Sequence, residues 1–372
     1  MSEDSLEKNE VMEYIREELR GTISEERKRH RRSVLNKQRT TLEDPLTDLI
    51  TEDFVRSKAN LLKKKPLRMK EYQRLQNAFV QDLDNINTFM KVDNAVAGLA
   101  RCLSGSNAAL QLAAANCCCN LALGNSKTCK ALCKSVGPYV VAMLEGLSNP
   151  HVEVCAWTIG NLVGGSYKAF EILHAQDCLG RLMSLLQECD KSILSTVIYA
   201  TMHYVRTGYH QIEDADMIDL TKAVVKLLFN CQESNLIWLL ALLSSRPACF
   251  AYLTSAVPMI LEYLYNSANS GLTDVVQVTA ATRFLANLVC EETGSVVEAL
   301  LNDPDRINEN LRDLIDKLML HAHAHLRKEA LWLIGNIYNH SSRDYRQSLR
   351  DNLLYLPSIR LAAASVVKSN LL

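Results

Sequence analysis

Glycine and proline are scarce in this sequence, with 14 Gly and 8 Pro among 372 residues. Because these residues interrupt regular structure, their scarcity excludes a chain built mainly from turns and loops. Leu, Ala and Val dominate the long uninterrupted segments, which predicts a mostly helical protein. With 48% hydrophobic residues, the chain is long enough for one large core or for an array of small ones.

Long apolar runs are also missing. No segment reaches the roughly 20 consecutive apolar residues that a membrane helix needs. The longest candidate, NLIWLLALLSS (residues 235–245), predicts a buried helix instead. The first ten residues, MSEDSLEKNE, are acidic and lack the apolar core of a signal peptide. We therefore expect no membrane partner and a location in the reducing cytoplasm and nucleus.

Patterns for catalysis or metal binding are lacking as well. The sequence has no phosphate-binding glycine loop, nucleophile elbow or kinase motif, so we expect no enzyme and no cofactor. His321, His323 and His325 lack a nearby acidic or cysteine ligand, which favours an exposed helix over a metal site. The 12 cysteines include three in a row, from Cys117 to Cys119. Neighbouring side chains on a helix point in different directions, so we predict small buried residues rather than a disulfide frame.

One pattern recurs along the chain with a spacing of 39 to 49 residues. The segments AWTIGNLVGGS (156–166) and LWLIGNIYNHS (331–341) both place Trp four residues before Asn. Weaker copies align with them, and the first members of the six pairs are Asn116, Trp157, Tyr199, Trp238, Arg283 and Trp332. This period is typical of armadillo and HEAT repeats, whose units of two or three helices bury their apolar faces against neighbouring units.

The residues between the pairs fit a unit of three helices. After Asn120, SKTCKALCKSVG predicts a short helix and PYVVAMLEGLSNP predicts a second helix that begins at Pro138. HVEVCAWTIGNLVGGS then predicts a long third helix that ends at two glycines. This helix carries Trp157 and Asn161, and Glu153 lies four residues before the Trp. The combination resembles the importin-α (karyopherin-α) branch of the armadillo proteins.

The resemblance covers residues 90–372 and implies an all-α, right-handed armadillo-repeat superhelix (solenoid) with about six full repeats plus a partial one. Its third helices would line an inner groove, where Trp holds the stem of a cargo Lys or Arg and Asn binds the peptide backbone. The implied cargo-groove residues are Asn120, Glu153, Trp157, Asn161, Tyr199, His203, Trp238, Asn287, Glu291, Trp332 and Asn336. Alternatively, the tryptophans belong to the core and the asparagines are spacers. The groove interpretation predicts that Asn161→Ala and Asn336→Ala leave stability nearly unchanged.

The charge of the predicted groove departs from importin-α. Four residues after the Asn position, importin-α carries acidic residues for the lysines of the cargo, whereas only Glu291 is acidic here. Arg246, Arg283 and His203 would place positive charge over the middle of the groove. We therefore expect lysine-rich signal peptides to bind weakly, and the groove to suit another partner.

A basic arm, residues 1–45, precedes a helical lead-in, residues 46–89. The net charge of the chain is −1, yet residues 27–74 hold 15 basic and 6 acidic residues. The arm resembles the importin-β-binding segment of importin-α, and it also resembles the importin-α-like family called transmembrane and coiled-coil domain-containing protein 6. The resemblance assigns receptor binding to Arg27, Lys28, Arg29, Arg31, Arg32, Leu35, Lys37 and Arg39.

Other interpretations of the basic segments stay open. The arm also fits a solvated charge run or, less well, a nucleic-acid-binding arm, because no aromatic residue lies between Arg27 and Arg39 for stacking on bases. Lys63, Lys64 and Lys65 are a candidate nuclear localisation signal or the exposed face of a lead-in helix. The sequence favours a non-enzymatic importin-α-like adaptor that carries a dedicated protein cargo with an importin-β-type receptor. The alternative is an armadillo scaffold or dedicated chaperone without a transport role.

Overall fold

The computed structural model describes residues 49–146, 148–228, 233–301, 309–350, 353 and 356–361. The whole basic arm, residues 1–45, and with it all of its predicted receptor-binding residues, lies outside this part of the chain. The regular structure of the described residues is entirely helical. The α-helices are α1 Glu52–Leu62, α2 Met69–Gln81, α3 Leu83–Met90, α4 Ala95–Leu103, α5 Ala108–Leu121, α6 Ser126–Ala142, α7 Asn149–Gly165, α8 Tyr167–His174, α9 Cys178–Glu188, α10 Lys191–Gly208, α11 Asp214–Leu228, α12 Ser234–Leu243, α13 Phe250–Leu253, α14 Val257–Asn269, α15 Val275–Leu288, α16 Ser295–Leu301, α17 Glu309–Leu320, α18 Ala324–Tyr338 and α19 Arg346–Leu349.

The helices stack as an armadillo solenoid. Helices α8, α9 and α10 form one complete unit of two shorter helices and a long third helix, and α10 packs on both of the others. The third helices of successive units pack side by side in one row: α2, α5, α7, α10, α12, α15 and α18. We call this the third-helix row. The all-α armadillo fold predicted from the repeat period is thus confirmed.

Local sequence signals explain where the third helices begin. Asn107, Asp190 and Asp274 precede α5, α10 and α15, and the side chain of each accepts a hydrogen bond from a backbone N–H of the first turn. Such caps satisfy donors that have no partner within the helix, and each contributes about 1 kcal/mol. The caps therefore set the start of these helices and, with it, which residues face the neighbouring unit.

One predicted boundary is wrong. The prediction starts a new helix at Pro138, whereas α6 continues through this residue to Ala142. Proline removes one backbone hydrogen bond and crowds the preceding turn, but the apolar face on both sides of it is continuous, with Cys133, Val136 and Val140 fully buried. Packing of this face against the neighbouring helices outweighs the local signal.

The buried cysteines behave as small core residues. Cys117, Cys118 and Cys119 are all buried, and no disulfide joins the cysteines of the described segments. Burial raises the pKa of the Cys155 thiol to about 12 and also raises the pKa of Cys117. These thiols therefore stay protonated at neutral pH and pack as apolar groups.

One described helical segment, Pro247–Asn269, is long and apolar enough by length and composition to cross a membrane, although the sequence analysis found none. In the solenoid this segment comprises a 3-10 turn, α13, a second 3-10 turn and α14, and 39% of its apolar window is buried. Ile260 and Leu264 are almost completely buried in the core. These two side chains thus pack in the core of the solenoid.

The three alternating histidines lie in a different structure from the predicted exposed helix. Helix α17 ends at Leu320 and α18 begins at Ala324, so His321 and His323 belong to a turn. Their rings stack with centroids 5.3 Å apart. Arg327 donates hydrogen bonds to the backbone oxygens of residues 321 and 322, and these bonds stabilise the turn. The described residues hold no cluster of ligands suited to a metal ion.

Candidate functional site

Asparagines at equivalent positions join consecutive helices of the third-helix row. Each donates its Nδ2 amide hydrogen to a backbone oxygen of the preceding third helix. The pairs are Asn120 with Gln76 O (3.0 Å), Asn161 with Cys119 O (3.3 Å), Asn287 with Ala241 O (3.3 Å) and Asn336 with Ala286 O (2.6 Å). From Asn161 onward, the acceptor is the residue just before the aligned Asn position. The constant register shows that these amides hold neighbouring repeats together.

The same register extends the row into the lead-in segment. Asn120 bonds to Gln76, and the next residue, Asn77, therefore occupies the equivalent position on α2. The Gln76 side chain also donates to Ala113 O of α5 at 3.1 Å. Sequence reasoning missed Asn77 because no Trp or other ring lies four residues before it, although it stands one repeat period before Asn120.

The first intact Trp–Asn pair is closed by the next third helix. Tyr199 of α10 contacts the Trp157 ring with centroids 4.4 Å apart, and its hydroxyl donates to Asn161 Oδ1 at 3.0 Å. Asn161 is 5% exposed, and both ends of its amide are hydrogen-bonded within the protein. These contacts favour a structural role for Asn161, contrary to the expectation that Asn161→Ala leaves stability unchanged.

The second intact pair is more open. Trp332 and Asn336 are both half-buried on α18. The Asn336 amide nitrogen bonds to Ala286 O, whereas its oxygen has no hydrogen-bond donor among the described residues. Each pair has a glycine directly before its Asn, and the space around the two glycines differs. A Cβ at Gly160 would lie 2.5 Å from the Tyr199 ring, whereas a Cβ at Gly335 would meet nothing within 4 Å. We call each Trp–Asn position of the row a step. The step at Trp332 and Asn336 presents an indole and an amide oxygen one helical turn apart.

Between the two intact Trp–Asn pairs, an arginine of the chain lies over the third tryptophan ring of the row. The Arg283 guanidinium carbon lies 5.4 Å from the centroid of the Trp238 ring. Its Nε donates to Glu329 Oε1 at 3.1 Å, and Nη2 makes a second, shorter bond to the same oxygen. Glu329 is 2% exposed. Sequence reasoning placed Arg283 in the groove but missed Glu329, which is the single carboxylate paired with it here.

Two other charged residues from the sequence analysis are engaged away from the row surface. Arg246 holds the turn after α10, where Nε pairs with Asp214 at 2.7 Å and Nη2 donates to Ile212 O at 2.9 Å. Glu291 is buried and accepts hydrogen bonds from Thr293 and from the backbone of Val296 at the start of α16. Burial acts to raise the pKa of Glu291, but these hydrogen bonds outweigh it and hold the pKa below its usual value.

Glu153 and His203 complete the predicted set on α7 and α10. Glu153 is half-buried and accepts a hydrogen bond from Thr196 Oγ1 at 3.4 Å. His203 is buried and packs edge-on against Tyr199, with ring centroids 4.4 Å apart. The third-helix row therefore carries one half-buried carboxylate beside Trp157 and a buried aromatic cluster in the next helix.

The second basic cluster lies in a turn rather than on a helix face. Lys63 follows the end of α1, and Lys64 and Lys65 are exposed. Arg101 of α4 donates to the backbone oxygens of Leu62 and Lys63, at 2.7 and 3.3 Å, which secures the turn to the solenoid. The lysine side chains thus remain accessible to solvent.

Comparisons with known proteins agree with this architecture. No model of a known protein family matches the chain. Over 249 residues it is 24% identical to importin subunit alpha-9 of Arabidopsis thaliana, a match that covers 64% of this chain and 47% of that protein. The chain thus spans about half the length of this relative. Among solved structures, an engineered protein matches with a TM-score of 0.63 and 19% identity, over 77% of this chain and 69% of the other.

A designed armadillo repeat protein in complex with the peptide (KR)4 matches with a TM-score of 0.45 and 14% identity, over 76% of this chain and 99% of the other. The row of third helices runs along the described solenoid, and the asparagine bonds recur at four of its contacts. The sequence match to an importin subunit agrees with the repeat pattern. The chain therefore has an armadillo-repeat fold, and its sequence is similar to that of an importin-α subunit.

Proposed function

We propose that this chain is a non-enzymatic adaptor in nuclear import. Its third-helix row binds an extended segment of a dedicated protein cargo, and its basic arm binds an importin-β-type receptor. The protein then acts in both cytoplasm and nucleus, needs no cofactor and makes no use of nucleic acid. The proposal rests on the likeness to an importin subunit and on one feature of the row.

That feature is the open step formed by Trp332 and Asn336. The half-buried indole offers a flat face to an aliphatic or cationic side chain. The Asn336 oxygen, with no donor among the described residues, is placed to accept a hydrogen bond from a peptide N–H, whatever the peptide sequence. An extended peptide has donors at regular intervals, so a row of helices in constant register suits it better than it suits a globular surface.

The positive charge of the basic arm supports the proposed binding to an importin-β-type receptor. From Arg27 to Arg39 there are seven basic residues and no acidic residue. Such a run favours a long acidic surface on the partner. The alternative function is that of an armadillo scaffold or a dedicated chaperone. In that case the arm is not required to bind an importin-β-type receptor.

Purified full-length chain and importin-β separate these functions. We expect Arg29→Glu, Arg31→Glu and Arg32→Glu together to abolish binding in biolayer interferometry and to leave the circular dichroism melt unchanged. Lys63→Glu, Lys64→Glu and Lys65→Glu make a matched control with the same change of charge, and this variant should still bind.

Binding of the unaltered chain should weaken steeply between low and physiological salt, because exposed charges are screened beyond about 8 Å at physiological ionic strength. No binding to importin-β, or binding that salt does not affect, would contradict the adaptor function and favour the scaffold.

A further inference from the structure

Tyr199 occupies the position on α10 that Trp157 occupies on α7, and it turns back onto that neighbour. The two rings are in contact, with centroids 4.4 Å apart and planes inclined by 49°. The Tyr199 hydroxyl donates a hydrogen bond to Oδ1, the one oxygen of the Asn161 side-chain amide. Only 1% of Tyr199 is exposed. The tyrosine thus packs on the half-buried Trp157 ring and also occupies the Asn161 oxygen.

The space between these rings is too narrow for a ligand. An alkyl stem held between two aromatic faces needs a carbon contact of about 3.5–4 Å on each side, so the rings must stand roughly 7 Å apart. The observed separation of 4.4 Å leaves no such slot. A Lys or Arg side chain can therefore enter between these two rings only if Tyr199 moves away.

The surroundings hold Tyr199 in place. Gly160 lies directly beneath the ring, where a Cβ would be 2.5 Å from Tyr199 Cε1. His203 also packs edge-on against Tyr199, with ring centroids 4.4 Å apart. The half-buried Glu153 carboxylate lies one helical turn from Trp157, so an opened slot would also offer a negative charge to a cation.

We propose that Tyr199 is a built-in plug and a specificity-determining residue, which closes the Trp157–Asn161 step to the basic side chains of an extended peptide. Removal of its ring opens a slot for the alkyl stem and charged head of Lys or Arg. This inference rests on the proposed function only in taking the third-helix row as a peptide-binding surface. It places cargo contacts at the Trp332–Asn336 step rather than at Trp157.

An eight-residue peptide of alternating Lys and Arg is the probe, titrated by fluorescence anisotropy against the full-length chain. We expect Tyr199→Leu, which keeps apolar volume but loses the ring, to bind the probe about tenfold more tightly than the unaltered chain, as a new cation–π contact beside a carboxylate provides. Tyr199→Phe is the matched control: it keeps the ring and loses the hydroxyl, and its affinity should change less than twofold.

A second measurement does not depend on the folding of Tyr199 variants. In the otherwise unaltered chain, Trp157→Leu should change probe affinity less than twofold, because the plug already covers the indole. A loss of threefold or more on Trp157→Leu, or a folded Tyr199→Leu chain that binds no better than Tyr199→Phe, would overturn the plug. Neither measurement reports binding of importin-β to the arm, so this inference can fail while the proposed function stands.

Discussion

Replacing Asn161 with alanine should destabilise the solenoid, whereas replacing Asn336 should cost less. Asn161→Ala removes both the bond to Cys119 O and the bond that the buried Tyr199 hydroxyl donates to Asn161 Oδ1. An unsatisfied buried group costs about 1–3 kcal/mol, and a single net hydrogen bond about 0.5–1.5 kcal/mol. Asn336→Ala loses one bond at a half-buried site, so we expect a smaller loss.

Urea unfolding followed by circular dichroism measures the difference between these variants. Asn339→Ala is the matched control, because Asn339 is exposed just after α18 and its side chain donates to Gly335 O of that helix at 2.9 Å rather than to another repeat. Its stability should stay within about 0.5 kcal/mol of the unaltered chain. A double-mutant cycle of Asn161→Ala with Tyr199→Phe should show coupling, because the two side chains share a bond. If Asn161→Ala unfolds at the same urea concentration as Asn339→Ala, the structural role of this amide is refuted.

Three further outcomes follow from the charged groups. Arg283→Ala should cost about 3–5 kcal/mol in urea unfolding because it strands the buried Glu329 carboxylate, and adding Glu329→Gln should recover part of that loss; equal stabilities of the single and double variants would contradict this. Hydrogen bonds from Lys58, then from Arg68, hold the pKa of Glu71 at about 2, below the model-peptide value of 4.5. Because the pKa is lowered on folding, this stabilisation is present above pH 4.5 and is lost as pH falls towards 2, so Glu71→Gln should flatten the pH dependence of the melting temperature in that window. A lysine-rich signal peptide should bind the unaltered chain with a dissociation constant above roughly 1 μM in fluorescence anisotropy, because few carboxylates face the third-helix row. Tighter binding would show that the row accepts such peptides.

The repeat period predicts the fold of this protein, but it does not predict how the aligned residues are used. Trp157 and Trp332 align in sequence, and both lie half-buried on third helices. Their difference arises from the following helix, because Tyr199 packs onto Trp157 whereas no ring is packed against Trp332 among the described residues. Such partners come from another repeat, and a spacing within one repeat carries no information about them.

The same limit applies to the charged positions. Alignment places Arg246 and Arg283 near the groove, yet Arg246 pairs with Asp214 in a turn and Arg283 pairs with Glu329 of the next repeat. A long arginine side chain can reach several partners from one backbone position, so its role depends on which acceptor is near in space. Net charge along the aligned positions therefore overstates the positive charge of the third-helix row.

Recovery of partner proteins with the intact chain tests the central claim most directly. Quantitative mass spectrometry should compare the unaltered chain, Asn336→Ala and the control Asn339→Ala at equal amounts of folded protein. We predict that a protein recovered with both the unaltered chain and Asn339→Ala is at least several-fold depleted with Asn336→Ala, because the proposed function requires this amide oxygen to accept a hydrogen bond from the partner's backbone. Equal recovery of every partner with all three chains, with Asn336→Ala lowering only the melting temperature, would show that the asparagines of the row are purely structural.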